Sequence, residues 1–204
     1  MDKRYIYIVF SSTPNRIGRT IRAVTGEAYN HASIALDEKL TRMYGFARRY
    51  YRTPLYGGFV RETLSRYHHK GQSSHFCVCR LPVTDEQYCQ LDALLTEMFE
   101  NREHYLYNHL SAVVSLFRCQ AKAKDAYTCI EFIVQLLCDL GLPLEPGRHY
   151  TVCNVLDILK PYEVYNGPIA QDEYDLDFYK KHPVPYPLWT TMRDMFKLLP
   201  RLGK

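Results

Sequence analysis

The sequence predicts an α+β fold, an antiparallel sheet packed with helices. Three observations carry this. Runs rich in β-branched and aromatic residues recur at 4–10, 31–36, 41–47 and 75–81, the composition of strands half or fully buried in a sheet. The turn Asp37-Glu38-Lys39 joins the second and third of them into a hairpin. Two T-x-x-[EQ] capping boxes, Thr84 with Gln87 and Thr128 with Glu131, then open helical stretches.

In chain order, Arg4–Phe10 is the first strand, and Pro14 and Asn15 open a helix that runs to about Val24 and stops at Gly26. The hairpin follows, from His31 to about Ala47. Pro54 with Gly57 and Gly58 marks a loop, and His75–Leu81 is a strand with Cys77 and Cys79 on one face. Helices are expected over roughly 85–102 and 105–118, then from Thr128 to Gly141 and from Thr151 to about Lys160. A last strand lies near Glu163–Tyr165. Residues 1–170 form one domain, and 171–204, rich in Asp, Tyr and Pro, form an extended arm with a short terminal helix that packs on it.

Composition narrows the function classes. With 47% apolar and 14% aromatic residues in 204, the chain has enough for a core and is not disordered. Its apolar runs all fall short of the roughly 18 residues of a membrane span. The apolar start breaks at Ser11-Ser12-Thr13-Pro14 and reads as a strand rather than a signal peptide. Seven cysteines without framework spacing fit reduced thiols in a cytoplasmic protein. None of their spacings is the C-x₂₋₄-C pairing of structural zinc, and neither a Gly-rich phosphate loop nor a G-x-S-x-G elbow occurs, so neither metal nor cofactor is expected.

The net charge of +4 conceals an asymmetry. Residues 1–70 hold 13 Lys/Arg against 5 Asp/Glu, and residues 71–204 hold 13 against 17. Arg16, Arg19 and Arg22 recur every three residues as a stripe, and Arg48, Arg49 and Arg52 follow. Such a balance draws anionic substrates or surfaces. It also supports a second reading: a non-catalytic module that binds nucleic acid or anionic lipid through this basic third. No nucleic-acid motif accompanies the charge, which argues against nucleic acid.

One cysteine stands apart. Cys129 follows the N-cap Thr128, at the first helical position, where free N–H groups and the helix dipole stabilise a thiolate. A cysteine nucleophile needs a base within reach and a group that orients the base. Of eight histidines, His68 and His69 sit in a polar loop with Lys70 and Gly71, His104 and His109 on expected helices, and His149 and His182 on loops. His31 begins an apolar strand, where the backbone fixes a ring that can face a cleft. The bland alternative is a small thiol packed at a helix start.

The runs Tyr29-Asn30-His31-Ala-Ser-Ile-Ala-Leu-Asp37, Met43-Tyr44-Gly45-Phe46 and Tyr127-Thr128-Cys129-Ile-Glu-Phe132, in that order, resemble the circularly permuted NlpC-type papain-like proteins of the YiiX/YebB-like group. The resemblance covers roughly residues 4–47 and 124–168. It implies a permuted papain-like fold, Cys129 as nucleophile, His31 as general base and the Cys129 N–H as an oxyanion donor. It puts the orienting group on the strand after the histidine, at Tyr44 or Gly45. Gly45 has no side chain, so either the Tyr44 hydroxyl or a backbone carbonyl would hold the imidazole. The implied function is a thiol hydrolase of the cysteine peptidase or amidase type, acting on a peptide, another amide or a lipid ester, and an anionic substrate suits the basic third.

Overall fold

The computed structural model describes residues 3–13, 16–53, 55–69, 72–169, 175–183 and 186–203. The chain runs β1 (Arg4–Ser12), α1 (Arg16–Thr25), β2 (His31–Ala35), β3 (Met43–Arg48), β4 (Gly57–Glu62), β5 (His68–His69), β6 (Gln72–Ser73) and β7 (His75–Val83). It continues through α2 (Asp85–Glu100), β8 (Leu106–Tyr107), α3 (His109–Val114), β9 (Ala126–Tyr127), α4 (Cys129–Asp139), α5 (Val152–Leu159), β10 (Glu163–Pro168), α6 (Leu176–Tyr179) and α7 (Tyr186–Leu198). Eight strands form one sheet in the order β10-β7-β1-β2-β3-β4-β8-β9. Its pairings are antiparallel except β8 with β9. The α+β expectation therefore holds, with a mostly antiparallel sheet.

The period of two explains the layering. On β1, Ile6, Ile8 and Phe10 face one way and Tyr7 and Val9 the other. The first set joins Ile34, Phe46, Phe59, Cys77 and Cys79 under α2, α4 and α5, which contribute Leu95, Ile133 and Val155 among others. The second set meets Ala35, Met43, Tyr67 and Phe76 on the far face. Cys77 and Cys79 share one face, as their spacing requires.

Several elements depart from the sequence reading. The expected loop at Gly57 and Gly58 is the start of β4. Both positions in this strand suit glycine because neighbouring chain presses on them. A Cβ on Gly57 would stand 2.9 Å from the Tyr107 Cβ, and one on Gly58 would stand 2.8 Å from the Tyr105 carbonyl. The helix expected from 105 begins at His109 instead. Asn108 caps it by accepting from the Ser111 N–H, and Leu106 and Tyr107 have joined the sheet. His104 consequently lies in a turn, paired with Asp125 at 2.9 Å. The last strand extends to Pro168. The helix start at Pro14 and Asn15, Pro54, Lys70 and Gly71 all lie outside the described residues.

The arm after the sheet packs on the body. The Arg201 Nη1 donates to the His104 carbonyl at 2.8 Å, Leu202 bridges to Ala123, and Phe178 is buried against Tyr51. The expected boundary at 170–171 lies outside the described residues. Helix α7 buries Thr190, Thr191, Asp194 and Leu198 and exposes Trp189, Met192, Met195 and Phe196. Among the described residues no helix is long and apolar enough to cross a membrane.

Candidate active site

The first turn of α4 is built as its sequence dictates. The Thr128 Oγ1 accepts from the Glu131 N–H at 3.3 Å, and the Glu131 Oε2 accepts from the Thr128 N–H at 2.8 Å. The other Glu131 oxygen accepts from the Ser111 hydroxyl of α3. These bonds turn the carboxylate back onto the cap. They hold Cys129 at the first helical position, buried, with its backbone N–H in the part of the helix that has no intrahelical acceptor.

His31 is the first residue of β2 and is buried. The β2–β3 ladder is registered at Ile34↔Tyr44 and Ala35↔Met43, short of His31. At this end of the strand the imidazole meets the carboxylate of Glu62 from β4. The distances from Nε2 are 3.1 Å to Oε1 and 3.2 Å to Oε2. The Ser33 hydroxyl stands 3.1 Å from the same nitrogen and donates to the Glu62 Oε1 at 2.7 Å. The Tyr67 hydroxyl donates to the Glu62 Oε2. A buried carboxylate needs such partners.

Charge follows from this geometry. Burial pushes the His31 pKa down, but the Glu62 charge and the hydrogen bonding to Cys129 and Glu62 together outweigh it and raise it from 6.5 to about 10. Burial pushes Glu62 up, and the charge of His31, its hydrogen bond and that of Tyr67 outweigh it, bringing the carboxyl from 4.5 to about 2. The pair is an imidazolium and a carboxylate at neutral pH. Since Nε2 is engaged by Glu62 and Ser33, Nδ1 is the ring nitrogen left for the Cys129 thiol.

Cys129, His31, Glu62 and Tyr67 line a cavity of about 260 Å³. Arg48, Arg66 and Phe178 also line it, as do Tyr107 and His109. Burial raises the Tyr107 hydroxyl and lowers His109. A larger groove of about 960 Å³ lies on the other side of Arg66, between Lys39, Arg61, Arg102 and Lys180. It contains neither the thiol nor an imidazole, so its size does not make it the reactive site. Among the described residues no cluster of His, Cys, Asp or Glu could hold a metal ion.

The structure thus brings Cys129 and His31 together and separates Tyr44 from them. Tyr44 belongs to the helix-covered core, stacked on Phe59 at 6.0 Å between ring centroids, with its hydroxyl close to Arg42. The expectation that Tyr44 or a backbone carbonyl orients His31 is corrected: Glu62 does so. Sequence reasoning passes over Glu62 because the expected loop at Gly57 and Gly58 leaves the rest of β4 without an assignment.

The arginines of the basic third differ in their surroundings. Arg22 folds back, its Nη1 donating to the Thr13 carbonyl and the Asn30 Oδ1, each at 2.8 Å. Arg49 is buried and paired with Glu103 at 2.9 Å, and Arg48 turns toward the cavity. Arg19 and Arg52 remain exposed, and the Arg16 side chain lies outside the described residues. Comparison of the chain with protein-family models finds no match, and neither does comparison with curated proteins or with solved structures.

Proposed function

We propose that the protein is a cysteine hydrolase acting on an amide or ester, in a circularly permuted papain-like arrangement. One observation carries this: residues 31, 62 and 129, from two strands and a helix, converge as a carboxylate, an imidazole and a thiol on one cavity. Nucleophile, base and orienting group in that relation are what thiol catalysis requires. The order of His before Cys, on an antiparallel sheet covered by the cysteine's helix, supports the permuted arrangement.

In the reactive state the Cys129 proton rests on His31 Nδ1, in an imidazolium that Glu62 holds, so the nucleophile is the thiolate of a thiolate–imidazolium pair. The thiolate attacks the carbonyl carbon, and the oxyanion meets the backbone N–H of Cys129. The C–N or C–O bond breaks as Nδ1 returns the proton to the leaving group, which leaves an acyl thioester. Water then attacks, giving its proton to Nδ1, and the carboxylic acid departs with the thiol restored. Glu62 is a positioning residue, since it acts through His31. The seven cysteines are all free, which suits a reducing compartment such as the cytoplasm.

The test is iodoacetamide at about pH 6, where ordinary thiols are almost wholly protonated. Cys129 should be alkylated before the exposed Cys89 and Cys119, and His31→Ala should abolish that order. Cys77, Cys79 and Cys138 serve as slow references, since burial contributes to the raised pKa values of Cys77 and Cys138. Equal rates at Cys129 and Cys89 would end the hydrolase reading.

A further inference from the structure

Two guanidinium groups face the same cavity as the thiol, and the fold does not account for both. Arg66 is 10% exposed, and its Nε is paired with Asp175 at 3.0 Å. Its Nη1 is buried with no hydrogen-bond partner. A buried donor of a charged group left in that state is costly. Arg48 has its Nη1 on the Tyr51 carbonyl at 2.9 Å. Burial lowers its pKa and the nearby Arg66 lowers it further, while tyrosines rather than any carboxylate supply the opposing effect.

The carboxylates nearby are already engaged. Glu62 serves His31, Ser33 and Tyr67, and Asp175 serves Arg66, Thr63 and the Phe178 N–H. Phe178 contacts both cations, its ring centroid 5.3 Å from the Arg48 Cζ and 4.6 Å from the Arg66 Cζ. Its ring fixes both guanidiniums at the cavity wall by cation–π attraction. Two like charges thus face one cavity, and the carboxylates near them, Asp175 and Glu62, are already committed to other partners, an arrangement that favours an entering anion.

We propose that Arg48 and Arg66 form the subsite for an anionic oxygen group, carboxylate or phosphate, carried by the substrate close to its scissile carbonyl. The proposal rests on the thiol-hydrolase reading of the same cavity and adds the substrate class: acyl compounds with an acidic group, held by planar donors suited to bidentate oxygen pairs.

The experiment compares two alkylating reagents that differ in charge. Iodoacetate and iodoacetamide both transfer a carbon to the sulfur as iodide leaves, and iodoacetate alone carries a carboxylate. At Cys129 the rate ratio of iodoacetate to iodoacetamide should exceed that at the exposed Cys89. The His31 imidazolium also favours the anion, so the decisive reading is the change in the ratio on substitution. Arg48→Gln and Arg66→Gln should each lower it about tenfold, the loss of one charge-assisted hydrogen bond, and Arg48→Lys should restore part of it. A ratio that general slowing leaves untouched isolates the subsite. If Arg66→Gln fails to fold because Asp175 loses its partner, Arg48→Gln decides alone.

Protection of Cys129 by inorganic phosphate against protection by glutarate, at matched ionic strength, tells which anion the subsite prefers. A ratio unchanged by Arg48→Gln overturns the subsite while a fast, His31-dependent Cys129 keeps the hydrolase reading. Slow alkylation of Cys129 by both reagents overturns both.

Discussion

The carboxylate of Glu62 occupies the space that a side chain on Gly45 would fill. A Cβ built on Gly45 would lie 2.5 Å from the Glu62 Oε1 and 3.3 Å from the Ser33 Oγ. The strand that follows His31 therefore supplies a vacancy rather than a ligand. The next strand reaches through it, with Glu62 registered opposite Met43 and Val60 opposite Gly45.

Gly45→Ala tests this directly. The added methyl must displace a carboxylate held by His31, Ser33 and Tyr67, so the variant should lose about 1–3 kcal/mol of stability, the usual cost of overpacking. Cys129 alkylation at about pH 6 should slow with it, because the imidazolium loses its partner. Denaturant melts and alkylation rates give the two readings. A stable variant with wild-type Cys129 reactivity would show that Glu62 does not depend on that space.

Tyr44→Phe makes the opposite prediction. The Tyr44 ring is packed on Phe59 and Phe99, and its hydroxyl is directed to Arg42, away from the imidazole. The substitution keeps the ring and should cost no more than about 1.5 kcal/mol, the upper end for a single hydrogen bond. Cys129 reactivity should not change. A large loss of reactivity in a folded Tyr44→Phe protein would restore Tyr44 as the orienting residue.

What was legible in the sequence was local. Thr128, Cys129 and Glu131 sit within one helical turn, so their geometry follows from spacing alone, and His31 was marked by its place at the mouth of an apolar strand. Glu62 was not legible in that way. Its partner lies 31 positions away, and nothing local marks the carboxylate after Phe-Val-Arg as buried, since carboxylates are seldom buried unless paired. Gly45, Gly57 and Gly58 were the available signal. Three glycines in strands next to one another mark places where other groups press close. The arm was equally opaque: nothing in Asp-Leu-Asp-Phe-Tyr announces that Phe178 lines the cavity, because that contact is decided by tertiary packing.

Thr128→Ala probes how firmly the cap holds the thiol. It removes the acceptor for the Glu131 N–H and should cost about 1 kcal/mol. Glu131 would still be held by Ser111 and the residue 128 N–H. Stability should therefore fall while α4 still starts at Cys129, and alkylation should slow by no more than a few-fold. A loss as large as that of His31→Ala would mean that the cap itself sets the reactivity.

The His31–Glu62 pair sets a pH signature on stability. His31 has a folded pKa near 10, above its ordinary 6.5, so its stabilisation is fully present below about 6.5 and fades as pH rises toward 10. Glu62 has a folded pKa near 2, below its ordinary 4.5, so its stabilisation is present above about 4.5 and fades as pH falls toward 2. Both describe one interaction, which is therefore strongest between about pH 4.5 and 6.5. Glu62→Gln keeps the shape and removes the charge. Comparing it with the parent in a Cys129→Ser background removes the thiol's own titration. The parent should be more stable by roughly 3–5 kcal/mol inside that window, the usual cost of breaking a buried pair. The difference should shrink as pH rises from about 6.5 toward 10 and as it falls below about 4.5. The His31 ring, followed by NMR, should titrate well below its parent value in the Gln variant. Thermal melts from acid to alkaline pH supply the first measurement, and a difference that stays constant across that range would show that Glu62 and His31 are not the ion pair their geometry makes them.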